Sequence, residues 1–118
     1  MITKIEYPTP LSAIEDIEND NIDVFVELDD GITYTLVAIT PANYIWYMDK
    51  EKLDYFPPGP PFITVKALTE EIIKTALEAY VENNAYWLKL YYLAGERNGV
   101  FDIHEMDKMI KALHSDDE

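Results

Sequence analysis

Between Ile22 and Thr40 the chain reads IDVFVEL, then DDG, then ITYTLVAIT. Successive side chains of a strand point to opposite faces. Ile22, Val24, Val26 and Leu28 therefore share one face, and Asp23, Phe25 and Glu27 the other, which is the period of a half-buried strand. Asp29-Asp30-Gly31 is turn chemistry, and the β-branched run after it reads as the returning strand. A hairpin with one apolar face must be covered from elsewhere in the chain. At 118 residues and 48% hydrophobic content, the sequence can form one ordinary domain, residues 1–118, with a buried core.

The covering elements follow from caps and periodicity. Thr9-Pro10 reads as an N-cap and first-turn proline, with Leu11, Ile14 and Ile17 at helical spacing to about Glu18 and a break at Asp20-Asn21. Thr40-Pro41 repeats that signal and opens a helix through ANYIWYMDKEKL. FITVKAL (62–68) reads as a third strand. Thr69 caps a helix whose first turn holds Glu70 and Glu71 and whose buried stripe is Ile72, Ile73, Ala76, Leu77, Tyr80 and Val81. AYWLKLYYLAG (85–95) has helical length and is apolar nearly all round. A last helix spans about Ile103 to Leu113, before an acidic tail, 114–118, that is expected to be disordered.

The expected order is αββαβααα. A strand–helix–strand unit of this kind normally gives a right-handed parallel crossover. The predicted fold is thus α+β: a three-stranded mixed sheet, a β-hairpin plus one crossover strand, covered by four to five helices.

The stretch DYFPPGPPFITV holds two PxxP spacings, Pro57 to Pro60 and Pro58 to Pro61. Gly59 interrupts the run, Asp54 makes its flank acidic, and the block lies between a helix and a strand of one domain. Proline biases the residue before it toward extended backbone. The block therefore reads as a stiff connector that ends a helix near Tyr55-Phe56 and feeds Phe62 into a strand.

Twenty-three acids against nine bases give a net charge of −14. Nucleic acid and anionic membranes need clustered Lys and Arg, so both are disfavoured as partners. One arginine, Arg97, also argues against anionic metabolites, which favour bidentate guanidinium groups. The N-terminus lacks the apolar run of a leader and no segment has the length of a membrane span, so the chain reads as soluble and cytoplasmic. Residues 15–30 carry eight acids (Glu15, Asp16, Glu18, Asp20, Asp23, Glu27, Asp29, Asp30) and no base. Such a run is either a solvated face or a docking surface for a basic protein, since opposed potentials speed encounter and reject wrong partners.

Motifs for chemistry are sparse. Without cysteine there is no disulfide, thiol nucleophile or zinc–thiolate site. The serines, Ser12 and Ser115, lie outside any GxSxG turn. The histidines, His104 and His114, form no HExxH, and no phosphate-binding glycine fingerprint is present.

Residues 94–105, AGERNGVFDIHE, do carry a pattern. Glu96, Asn98, Gly99, Asp102 and Glu105 fall at positions three, five, six, nine and twelve of a twelve-residue loop, with Phe101 at eight and apolar residues at helical spacing on both flanks. The segment resembles the calcium loop of an EF-hand, which implies Ca²⁺ held by Glu96, Asn98, Asp102 and Glu105. Ala94 occupies position one, where that loop carries an aspartate. Asp16–Glu27 has acids at one, three, five and twelve but Asn21 in place of the glycine. The same residues also serve a turn at Asn98-Gly99 and a capping box from Asp102 to Glu105, with no metal.

Tyr44, Ile45, Trp46 and Tyr47, then Tyr86, Trp87, Tyr91 and Tyr92, place large side chains on two helices. They read as core, with the alternative that helix 85–95 is covered by a second copy of the chain or by a partner. In size, charge and lack of catalytic groups the chain is similar to bacterial immunity proteins, which neutralise basic nuclease toxins; the likeness is one of composition. The expected function is a non-enzymatic, acidic, inhibitor-like module that docks a basic protein through residues 15–30 and neighbouring aromatics. The alternative is a calcium-binding or calcium-stabilised domain using 94–105.

Overall fold

The computed structural model describes residues 1–58, 62–96 and 102–116. The fold is α+β, built on a four-stranded mixed sheet of order β1-β2-β3-β4. Strands β1 (Ile2–Glu6), β2 (Asn21–Leu28) and β3 (Thr33–Ile39) form an antiparallel meander. Helix α1 (Pro41–Glu51) then crosses to β4 (Phe62–Thr64), which runs parallel to β3. Helices α2 (Glu70–Tyr80), α3 (Glu82–Glu96) and α4 (Ile103–Asp116) complete the order. Among the described residues, no helix is long and apolar enough to cross a membrane.

The hairpin forms as its alternation dictates. Ile22, Val24, Val26 and Leu28 are buried together with Tyr34, Leu36 and Ala38 of β3. At its tip, the Gly31 N–H bonds the Leu28 carbonyl at 3.0 Å and Leu28 N–H bonds the Ile32 carbonyl at 3.2 Å. Gly31 takes φ +80°, the left-handed residue that such a three-residue loop requires. The apolar stripe of α2 lies against this sheet face, with Ile73 and Leu77 fully buried. Ala85 and Leu88 of α3 close the same core. Near the start of α3, at a kink in the helix, Asn83, Asn84 and Ala85 are left-handed, at φ 54°, 59° and 58°. Two of the three are asparagines, whose short polar side chains tolerate that conformation best among residues other than glycine.

Four expectations change. The sheet has four strands, not three, because ITKIE adds β1. A bulge between Ile2 and Lys4 lets Ile2 and Ile5, three apart, pair with inward-facing Leu28 and Val26, so the period-two signature is absent from the sequence. The helix expected from Leu11 to Glu18 is one 3-10 turn, Leu11–Ala13, with Ile14 already extended. Asp16 accepts the Glu18 N–H at 3.0 Å, a local turn that competes with helix, and the Ile17 carbonyl accepts Leu68 N–H at 2.8 Å.

The third predicted strand, 62–68, is regular only over Phe62–Thr64. Helix α1 ends at Glu51, ahead of the prolines, where Lys52 turns left-handed and Leu53 N–H reaches the Met48 carbonyl at 2.8 Å. Within the connector, Gly59, Pro60 and Pro61 lie outside the described residues. Phe56, its aromatic anchor, meets Tyr44 and Phe62 edge-on at centroid distances of 4.6 and 5.6 Å.

Candidate functional site

The acidic segment is contiguous in sequence and divided in space. Glu15, Asp16, Glu18 and Asp20 precede β2, Asp23 and Glu27 lie on its outward face, and Asp29 and Asp30 sit at the hairpin tip. Seven residue steps of strand separate the two ends, about 24 Å at 3.4 Å per residue. The tip acids serve the fold. Asp29 lies 3.4 Å from the N-terminal ammonium. Asp30 accepts the Ile32 N–H and the Tyr34 hydroxyl, each at 2.8 Å. Glu27 accepts the Thr3 hydroxyl at 2.9 Å.

At the other end the loop is fixed to α1 by amides and a hydroxyl. Thr40, fully buried, accepts the Asp20 N–H through its Oγ1 at 3.3 Å, and its own N–H bonds the Asp20 carbonyl at 3.3 Å. Thr40 stands at the N-cap position of α1, as its sequence implies, but its hydroxyl is spent on the loop and makes no cap bond. Asn43, 6% exposed, accepts from Asn21 Nδ2 at 2.8 Å and donates to Asn19 Oδ1 at 3.1 Å. This Asn19–Asn43–Asn21 bridge holds the acids against the first turn of α1. Sequence reasoning missed it, and nothing in the residue types singles out Asn43.

One helical turn beyond Asn43, Trp46 is exposed beside exposed Ile45. The Trp46 ring carries the Lys50 ammonium 5.1 Å from its centroid, within cation–π range. Across the loop, Ile17 is exposed as well. The side chains of Glu15, Glu18 and Asp23 make no hydrogen bond or ion pair among the described residues. Carboxylates without partners thus flank a loop that is hydrogen-bonded to the first turn of α1, the helix that also carries the exposed Trp46.

The aromatic residues split between two roles. Tyr44 and Tyr47 join the Phe56–Phe62 cluster, and Tyr92 packs edge-on to buried Tyr34 at 5.0 Å. Ile45, Trp46, Tyr86 and Trp87 are exposed, which corrects their reading as core. A cavity of about 260 Å³ opens between Ala79, Tyr80, Trp87 and Tyr91.

Comparison with protein-family models, with curated proteins and with solved structures finds no match for this chain.

Of the four residues proposed for calcium, Asn98 lies outside the described residues and Glu96 ends α3. Asp102 accepts the His104 and Glu105 N–H groups at 2.8 and 3.3 Å, capping α4. The Glu105 carboxylate pairs with Lys108 at 3.1 Å and so does not reach back to close a capping box. Among the described residues, no group of three or more His, Asp or Glu side chains could hold a metal ion.

The Asp30–Tyr34 pair fixes a pH dependence. Burial first, then the Asp30 carboxylate, pushes the Tyr34 phenol up to about 12 from its ordinary 10.0. The folded chain thus holds that proton more tightly than the unfolded chain. The stabilisation is complete below about pH 10 and is lost as pH rises through about 12. Bonding from Ile32 N–H and then Tyr34 lowers the Asp30 carboxyl, so its contribution is lost as pH falls through that lowered value. Tyr34→Phe is expected to cost about 1 kcal/mol at neutral pH and to flatten the alkaline decline, read from urea melts at about pH 8 and about pH 11.

Proposed function

We propose that the protein is a non-enzymatic binding module that docks a basic protein through the surface formed by Glu15, Asp16, Glu18, Asp20 and Asp23 with Ile17 and Trp46. The observation that carries this reading is the Asn19–Asn43–Asn21 bridge, which fixes the acidic loop beside an exposed tryptophan. A rigid surface loses little conformational freedom on binding, and rigidity of this kind lowers the cost of association. The carboxylates steer a cationic partner, while Trp46 accepts an arginine or lysine on its face, as it already accepts Lys50.

The charges assigned to docking are fewer than the sequence suggested. Asp29 and Asp30 belong to the hairpin tip, about 24 Å away by strand length, and Glu27 is bonded to Thr3. An inhibitor of a basic enzyme is one form this activity takes, and the acid-plus-aromatic chemistry fits any basic protein surface.

Titration of the protein with a lysine-rich peptide, followed by amide chemical shifts, tests the location. The reading expects shifts concentrated at residues 15–23 and at the Trp46 indole, fading as salt is raised. Equal shifts at Asp29 and Asp30, or a uniform response over all acidic residues, would show diffuse attraction without a docking surface.

A further inference from the structure

We propose that residues 83–85 are a strained hinge for exchange between two copies of the chain. At this hinge α2 and α3 straighten into one helix, and α3 leaves its own core to take the same seat in a second copy, which returns the exchange. The inference goes beyond the acidic docking surface and does not depend on it.

Asn83, Asn84 and Ala85 take φ/ψ of 54°/50°, 59°/38° and 58°/36°, three consecutive residues of left-handed helix. Residues other than glycine visit this region singly, and asparagine tolerates it better than alanine. Ala85 has no polar side chain to compensate, and its burial in the core holds it there. The straight alternative is written into the flanking chain. Val81 N–H already bonds the Leu77 carbonyl at 3.0 Å and Ala85 N–H the Val81 carbonyl at 2.8 Å, the spacing of a continuous α-helix. Ile73, Leu77, Tyr80, Asn84, Leu88 and Tyr91 follow at steps of four, three, four, four and three, one helical stripe that runs through the kink. No proline or glycine interrupts the sequence from Glu70 to Leu93.

The fold itself names the occupant. Leu88 is fully buried, Tyr92 meets buried Tyr34 edge-on at 5.0 Å, and the Tyr80 and Tyr91 rings lie 5.8 Å apart. In a straight helix Tyr80 and Tyr91 stand about 16 Å apart along the axis, so a single chain cannot keep both the helix and the contact. The seat that α3 vacates is shaped for α3, and a second copy supplies one. Exchange restores each of these contacts between chains and releases six left-handed residues in the pair. Residues 85–95 carry one charged side chain, Lys89, so the exchanged segment brings no carboxylate into the core of its acidic partner. Short hinges under strain are the setting in which such exchange arises, and reciprocity closes the assembly at two.

The test is to refold the full chain from urea at about 0.5 mM, where mass action favours exchange, as an equal mixture of isotope-labelled and unlabelled chains. The wild type is expected to yield a dimer of twice the 13.7 kDa of one chain. Isotope-filtered spectra of that dimer should show the Tyr34–Tyr92 contact between labelled and unlabelled chains. Ala85→Gly accepts left-handed backbone and weakens a straight helix, so it is expected to raise the dimer dissociation constant by about tenfold or more. Asn83→Ala with Asn84→Ala acts in the opposite sense and should lower it by about tenfold or more. A wild type that remains monomeric overturns the proposal. So does a dimer whose Tyr34–Tyr92 contact stays within each chain, which another surface must then hold together, or a dimer that Ala85→Gly leaves as tight. These readouts stand even where the double alanine variant fails to fold.

Discussion

Leu77→Ala is expected to lower the stability of this domain by about 3–4 kcal/mol. Leu77 is fully buried on α2, in the single core that joins the helix to the inward face of the sheet and to Leu88 of α3. Truncation removes the transfer free energy of three carbons and leaves a void that a β-sheet backbone cannot collapse to fill. Domains of this size are stable by about 5–15 kcal/mol in total, so the loss is a large fraction of the whole. It corresponds to a fall in melting temperature of roughly 10–20 °C. Ile45→Ala on exposed α1 is the matched control and should change stability by less than about 0.5 kcal/mol. Calorimetry on both variants distinguishes them; equal shifts would place the core elsewhere.

Asn43→Ala is the second large effect, expected at about 2 kcal/mol. Two side-chain hydrogen bonds are lost, at about 1 kcal/mol each, and the half-buried Asn19 amide oxygen is left without its partner. The better helix propensity of alanine offsets about half a kcal/mol of that. Its diagnostic readout is local. Amide hydrogen exchange at Asn19, Asp20 and Asn21 should accelerate, while that of Val24 and Leu36 in the sheet slows or speeds only with global stability. Affinity for a cationic partner should fall as well, because a loosened loop must be ordered on binding. Unchanged exchange in the loop would mean that Thr40 alone holds it.

Much of this architecture is legible from particular residues. The alternation of Ile22 through Leu28, the glycine at the tip, the stripe from Ile72 to Val81 and the Thr69 cap each act over one local period, and the structure has them where the pattern puts them. What escaped depends on partners distant in sequence. The bulge at Thr3 resets the face of β1, so Ile2 and Ile5 look like neither strand nor helix until β2 is alongside. Leu11, Ile14 and Ile17 have helical spacing, yet their backbone groups find better use in a turn and in a bond to Leu68. Nucleating a helix for three apolar contacts is unfavourable against such alternatives.

The candidate site shows the same limit. Charge density from Glu15 to Asp30 is plain in the sequence. That one strand carries three of those eight charges to the far end of the sheet requires the strand to be extended, and that Asp30 is a structural acid requires Tyr34 beside it. Trp46 and Trp87 read as core because large aromatics usually are; here Tyr44 and Tyr47 join the Phe56–Phe62 cluster, Tyr92 and Leu88 pack with the core around Tyr34, and both tryptophans stay exposed.

Affinity capture from its native cell extract tests the central claim most directly, with the wild type, Glu15→Lys with Glu18→Lys and Asp23→Lys, and Asp29→Lys run in parallel at low and high salt. The account predicts one basic protein retained by the wild type and by Asp29→Lys, released as salt rises, and lost from the triple variant. Retention of that protein by the triple variant, or binding that no variant and no salt concentration changes, would contradict a docking surface at the acidic loop.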